Sequence, residues 1–329
     1  MIADPFPNFV AGTWVAGSSV TANINPSDLN DKVGEYAQAS SDQTAHAIEA
    51  AAAALPKWRT TSPLVRFEAL DRIGSEILAR VGELGDMLAR EEGKTLSEAK
   101  AEAHRAGHLF KYFAAEAYRA TGDVYQSLRE GVSLKVLREP IGVVGVITPW
   151  NFPLAIPAWK IAPALAYGNT VVFKPAELVP GSAWMLSDII ARAGLPEGVF
   201  NLVMGKGREV GEAIVTHSKV SGVTFTGSTP VGRNMGATLF ARGAKMQLEM
   251  GGKNPLIVLD DADLDLAVHC AIQGSFFSTG QRCTASSRLI VTEGIHDAFV
   301  DRLCAAMKGL RGGDARAPEI QVGPVAREA

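Results

Sequence analysis

The chain has 329 residues, 47% hydrophobic and 20% charged, enough apolar material for two packed domains and too much for disorder. A formal charge of -3 and a pI near 6.1, with Lys and Arg scattered, give no electrostatic reason to bind nucleic acid or an anionic membrane. The longest apolar stretches, such as 141–148, are too short to span a bilayer, and the opening MIADPFPNFV lacks the basic and apolar regions of a secretory signal.

Residues 8–15 and 20–39 read as short extended pieces broken by Gly and Asn-Pro. A helix follows over about 44–55, then a helical run over 63–92 with Leu64, Leu70, Ile73, Ile77 and Leu78 at helical spacings. Gly93 ends that run, and Lys94 starts another that continues through Tyr118. Val132, Leu134 and Val136 alternate with Ser133 and Lys135, and Glu130-Gly131 supplies a turn, so 122–140 reads as a β-hairpin. Beyond Ile141, apolar runs at 143–148, 170–174, 199–204, 221–226, 246–249 and 256–259 appear. Helical patterns separate the first five, at about 154–167, 181–193, 208–217 and 229–242. This alternation predicts an α/β fold with a mostly parallel sheet covered on both faces, which binds ligands beyond the carboxyl ends of its strands. The residues with chemistry to offer fall just after those runs: Trp150-Asn151, Lys174, 205–211, Gly227-Ser228 and 249–252.

The three cysteines, Cys270, Cys283 and Cys304, form an odd set without paired spacing, so free thiols in a reducing, cytoplasmic setting are expected. Cys270 and Cys304 sit in the helical patterns AVHCAI and DRLCAAM beside apolar residues and read as buried. Cys283 follows the small, polar stretch Gly280-Gln281-Arg282, where an exposed thiol near a cation is a reactive one.

TPWNFPL at 148–154, KPAE at 174–177, FTGS at 225–228, LEMGGKNP at 248–255 and GQRC at 280–283 occur in this order. Together they resemble the aldehyde dehydrogenase superfamily, from about residue 8 to the end of the chain. STGQRCTASSR and LEMGGKNPLIVLDDADLD look most like bacterial semialdehyde dehydrogenases of the α-ketoglutaric (2,5-dioxopentanoate) type. The resemblance implies oxidation of an aldehyde, in particular a semialdehyde, to its acid with NAD⁺ or NADP⁺. It implies a Rossmann-like dinucleotide-binding domain from about 1–120 and 141–249, and an oligomerisation hairpin at 121–140. The N-terminal part of a catalytic domain would lie at 250–329, and the full-length form would be a homodimer or homotetramer.

Such chemistry needs a nucleophile, because hydride leaves readily only from a tetrahedral adduct, and Cys283 is the candidate. The resemblance makes the Asn151 amide, with the Cys283 backbone N–H, the oxyanion donor; on its own, an Asn before Phe152-Pro153 equally caps a turn. Glu249 ends an apolar run before Gly251-Gly252 and is the candidate base for thioester hydrolysis. Superfamily members that pass the acyl group to coenzyme A or phosphate lack this glutamate, so an acid-forming enzyme is expected. For the cofactor, Lys174 follows TVVF within reach of ribose hydroxyls, and Glu177 would bond the 2′-OH and disfavour a 2′-phosphate. That favours NAD⁺ and leaves NADP⁺ open. Gly207 and Gly211 belong to a glycine turn opening a helix, and Gly227-Ser228 begins another helix suited to pyrophosphate. Thr148, Pro149, Trp150 and Gly251 complete the expected cofactor set. Phe152 and Trp159 fall where family members line the aldehyde tunnel. An arginine that related enzymes place near Trp159 for a substrate carboxylate is absent, with Arg282 as a substitute.

Other signals are declined. His104 and His108 lack a third ligand, so no metal is expected. Gly93-Lys94-Thr95 resembles the end of a phosphate loop, but Leu88 occupies the earlier glycine position. The acidic run from Asp260 to Asp265 reads as a helix N-terminus. Family members continue past residue 329 into an E-[IL]-F-G-P motif and further sheet. The alternative expectation is therefore an inactive truncated fragment that retains dinucleotide binding at most.

Overall fold

The computed structural model describes residues 5–119 and 122–327; the expected domain limits at 1, 120, 121 and 329 lie outside the described residues. Strands β1 (Asn8–Val10), β2 (Thr13–Val15), β3 (Ser19–Ile24) and β4 (Lys32–Gln38) precede four helices. These are α1 (Ser41–Arg59), α2 (Pro63–Ala79), α3 (Val81–Glu92) and α4 (Leu96–Arg119). The Ser40 hydroxyl starts α1 by accepting the Gln43 N–H at 3.1 Å. The helix then runs through Pro56, past the stop expected near 55. It does so because Trp58 is fully buried, and burying an indole contributes about 4–6 kcal/mol by area against roughly 3 kcal/mol for an interior proline.

The helical run expected over 63–92 is two helices. The Arg80 N–H is shared between the Glu76 and Ile77 carbonyls at 3.1 Å each, and its guanidinium bonds Glu76 and Glu83 on either side of the break. The apolar stripes of both helices pack on α4, so the periodicity continues although the backbone does not.

β5 (Asp123–Gln126) and β6 (Ser133–Val136) form the antiparallel hairpin, exposed along both strands. The alternation that follows is β7 (Val143–Ile147), α5 (Ala155–Ala166), β8 (Thr170–Lys174), α6 (Pro180–Ala191) and β9 (Phe200–Leu202). After it come a π-helical turn (Gly207–Gly211), α7 (Glu212–Thr216), β10 (Val220–Gly227), α8 (Thr229–Ala241) and β11 (Lys245–Met250). The seven-stranded sheet has the order β11-β10-β7-β8-β9-β1-β2. Strands β7 to β11 are parallel, and β1 and β2 add antiparallel at one edge. Alternate side chains serve opposite layers: Val144, Val146 and Phe173 meet Ile73, Phe110, Ile161 and Leu186, whereas Val143, Ile147 and Val172 meet Ile48, Ile214 and Leu239.

The chain leaves this sheet at Met250. β12 (Asn254–Val258) pairs in parallel with β13 (Ser286–Val291) in a separate sheet, covered on one side by α9 (Leu264–Phe276) and α10 (Glu293–Lys308) around Val258, Ile272 and Phe299. Asp263 caps α9 through the Leu266 N–H at 3.0 Å, the role expected for the acidic run. Cys270 and Cys304, expected to be buried, are exposed. Each helix buries only one stripe, Val268/Ala271/Ile272 in α9 and Ile295/Phe299/Leu303 in α10, and the cysteines sit beside those stripes. Among the described residues no helix is long and apolar enough to cross a membrane.

Candidate active site

β8 lies on one side of β7 and β10 on the other, so successive connections diverge there and open a crevice at the strands' carboxyl ends. A cavity of about 1010 Å³ occupies it. Thr148, Pro149, Trp150 and Asn151 line it after β7, Lys174 and Glu177 after β8, and Gly207 and Gly211 from the π-helical turn. Gly227 and Ser228 enter from the end of β10, Glu249 and Gly251 from β11, and Gln281, Arg282 and Cys283 from beyond α9.

Cys283 is exposed and follows a tight 3-10 turn, Phe277–Gly280, in which Ser278 and Thr279 have φ of 51° and 56°. Left-handed backbone at such residues costs about 1–2 kcal/mol each, so outside contacts must hold it. The Ser278 N–H and hydroxyl donate to Glu98 Oε1 at 2.7 and 3.1 Å, and the Thr279 hydroxyl donates to the Gly323 carbonyl at 2.9 Å. Beyond the thiol, Asn254 Nδ2 donates to the Cys283 carbonyl at 2.6 Å and to that of Ala285 at 3.2 Å. Arg282 lines the cavity, but its Nη2 donates to the Gln273 and Gly274 carbonyls of α9. That nitrogen is tied to α9, while the buried Arg282 Nε has no hydrogen-bond partner among the described residues.

The Asn151 amide faces the thiol turn, donating to the Gln281 carbonyl at 2.8 Å. Glu249 accepts from Gln247 Nε2 at 2.8 Å. Behind them lies a lysine that sequence reading missed. Lys160 Nζ donates to Gln247 Oε1 at 3.0 Å and to Thr224 Oγ1 at 2.7 Å. Burial pushes the Lys160 ammonium down to about 8, while Glu249 draws it up. Its one signal in sequence is a lone cation inside the apolar stretch AIPAWKIAPALA.

Lys174 is buried, donates to the Pro175 carbonyl at 2.9 Å, and is pushed down to about 8 by burial against the pull of Glu177. Glu177 Oε1 accepts the Gly207 N–H at 2.7 Å, bracing the π-helical turn that stands where a regular helix start was expected. Ser228 caps α8 without a side-chain bond to its first turn, leaving helix N–H groups for an anion. An ammonium, a carboxylate and a helix N-terminus around one cavity suit a ligand with hydroxyls and phosphates.

Phe152 and Trp159 are not among the residues lining this cavity. The Phe152 ring lies 3.9 Å from the Lys94 ammonium, and half-exposed Trp159 stacks under Arg105 at 4.9 Å. His104 and His108 approach to 3.3 Å on the exposed side of α4, and no third metal-binding side chain joins them among the described residues.

The sequence pattern of the aldehyde dehydrogenase family matches residues 14–329, and the chain belongs to that family. An α-ketoglutaric semialdehyde dehydrogenase of Bacillus subtilis is 45% identical over 321 residues, covering 97% of this chain and 66% of that protein. The chain thus spans about two thirds of that relative's length. A crystal structure described as an E. coli NADP dependent enzyme superposes with a TM-score of 0.95 at 36% identity, covering 99% of this chain and 69% of that one. Betaine aldehyde dehydrogenase of Staphylococcus aureus, in complex with NAD⁺, gives 0.94 at 33% identity, covering 98% and 64%.

Proposed function

We propose that this chain carries the cofactor site and reactive thiol for NAD(P)⁺-dependent oxidation of an aldehyde, in particular a semialdehyde, to its carboxylic acid. The observation that carries this reading is that Cys283, Asn151 and Glu249 open on one cavity with Lys174, Glu177 and Ser228. The Cys283 thiolate adds to the carbonyl carbon, and the resulting oxyanion takes the Asn151 amide, released from Gln281, together with the Cys283 N–H. When bound, the nicotinamide serves as hydride acceptor; Lys174 and Glu177 would hold the ribose and the α8 N-terminus the pyrophosphate. The Cys283 thioester is opened by a water that gives its proton to Glu249, as the C–S bond breaks and thiolate leaves. Gln247, itself held by Lys160, bonds the Glu249 carboxylate.

Glu177 favours NAD⁺, and NADP⁺ remains open because its carboxylate is already tied to Gly207. In this reading 141–249 and the first 119 residues bind cofactor, while 250–327 present the thiol. Val124, Tyr125, Leu134 and Val136, exposed on the hairpin, suit pairing with a further copy in a homodimer or homotetramer. The three free cysteines suit a reducing cytoplasm.

The test is turnover with ω-carboxylated, short aliphatic and aromatic aldehydes and both cofactors, followed by reduced-nicotinamide absorbance. Cys283→Ala should abolish it, while Cys270→Ala and Cys304→Ala remain active. Turnover that survives Cys283→Ala would refute the assignment of the nucleophile.

A further inference from the structure

We propose that Lys94 is a positioning residue for Asn151: with Glu102 it forms a buried ionic clamp on the turn over 151–155 and sets where the Asn151 amide points. The inference rests on the reading of Asn151 as oxyanion donor.

Gly93 ends α3 in the left-handed region, at φ 91°, and turns the chain so that Lys94 enters the interior. The Lys94 and Glu102 side chains are 1% and 2% exposed. Lys94 Nζ lies 2.6 Å from Glu102 Oε2 and donates to the Asn151 carbonyl at 2.7 Å, with the Phe152 ring on another side at 3.9 Å. The second carboxylate oxygen, Glu102 Oε1, accepts the Leu154 and Ala155 N–H groups at 2.9 and 3.1 Å. One ion pair therefore grips the turn at Asn151, Phe152, Leu154 and Ala155.

Burying two charges is costly, and a buried pair is weak evidence for stability; its best-attested use is to select one conformation among several. The conformation selected here has a definite consequence. With its carbonyl held by Lys94, Asn151 directs its amide to the Gln281 carbonyl, two residues before Cys283. A turn closed only by its own backbone would leave that amide free to swing, and misplacing an oriented group by about 1 Å costs on the order of 10²-fold in rate.

The experiment compares Lys94→Met, Glu102→Gln, Asn151→Ala and the double variant Lys94→Met/Asn151→Ala in the full chain. Both clamp variants should speed hydrogen exchange of the Leu154 and Ala155 amides about tenfold, without raising exchange across β7 and β8. They should lower kcat by about 10- to 100-fold with the aldehyde KM little changed, and Asn151→Ala should add little to Lys94→Met, because both remove the same aligned donor. If Lys94→Met does not fold, the same three readouts on Glu102→Gln, alone and combined with Asn151→Ala, decide. Unchanged exchange, unchanged kcat, or losses that multiply in the double variant would overturn the positioning role. A normal kcat in Asn151→Ala itself would instead remove the oxyanion reading on which the inference rests, while the exchange data would still report whether the clamp holds the turn.

Discussion

Lys160→Met distinguishes a structural lysine from a functional one. The Lys160 side chain is 8% exposed, and burial takes its pKa from 10.5 to about 8. At roughly 1.4 kcal/mol for each pH unit of that fall, holding it charged costs the fold about 3.5 kcal/mol. Its hydrogen bonds to Thr224 and Gln247 return about 1.5–3 kcal/mol each, as bonds from charged donors do. The two effects nearly cancel, so a methionine of similar length should leave stability within about 1–2 kcal/mol of the parent. The pH dependence has a definite sign. Below about 8 the lysine is charged in both folded and unfolded chains, and the cost is fully present. Between about 8 and 10.5 the folded chain releases the proton first, so the parent gains on the variant across that window. Turnover should respond differently: Gln247 keeps the Thr224 hydroxyl but loses its charged donor, Glu249 is held less firmly through Gln247, and kcat should fall by on the order of tenfold, a part of the ~10²–10⁴ that general-base assistance supplies. Urea titrations at several pH values and steady-state rates read both effects. Destabilisation beyond about 3 kcal/mol with kcat unchanged would refute the reasoning and make Lys160 a strut.

If Glu249 is the proposed base for thioester hydrolysis, Glu249→Gln should lose steady-state rate yet keep a stoichiometric burst of reduced cofactor; absence of a burst would move it to the earlier step. Glu92 is buried with Oε1 unpaired, and burial pushes it from 4.5 up to about 8. The folded chain therefore holds a proton that the unfolded chain has released, and stability falls as pH rises through that window. Glu92→Gln should flatten this fall in urea midpoints, leaving a contribution of the same sign from Glu91, pushed up to about 7 by burial; parallel profiles would contradict the assignment. Limited proteolysis should cut within 250–327 before 143–249, because Ile257, Leu259, Leu266 and Ile290 lie exposed on the smaller unit; first cuts within β7 to β10 would reverse that ranking.

The residues legible in the sequence are those whose role follows from position along a strand. A parallel sheet delivers its strand ends to one edge, so Asn151, Lys174, Ser228 and Glu249 could be gathered from the order of apolar runs and the motifs at their ends. Elements whose form depends on distant partners were not legible. Arg80 breaks a helix whose periodicity continues, because the two halves share one packing partner. Ser278 and Thr279 take left-handed backbone although neither is glycine, since Glu98, 180 residues away, holds the turn. Lys94 and Lys160 follow the same logic. Each is a lone cation whose neighbours in sequence give no pointer to its distant acceptor, 57 residues off at Asn151 and 87 at Gln247. What sequence does retain is the cost: an interior ammonium is tolerated only where acceptors meet it. A lysine inside an apolar helix, or just after a helix-ending glycine, therefore marks a place to look for acceptors in the fold. In this chain one lysine leads to the Asn151 carbonyl, whose side-chain amide bonds Gln281 in the thiol turn, and the other to Gln247, which bonds Glu249.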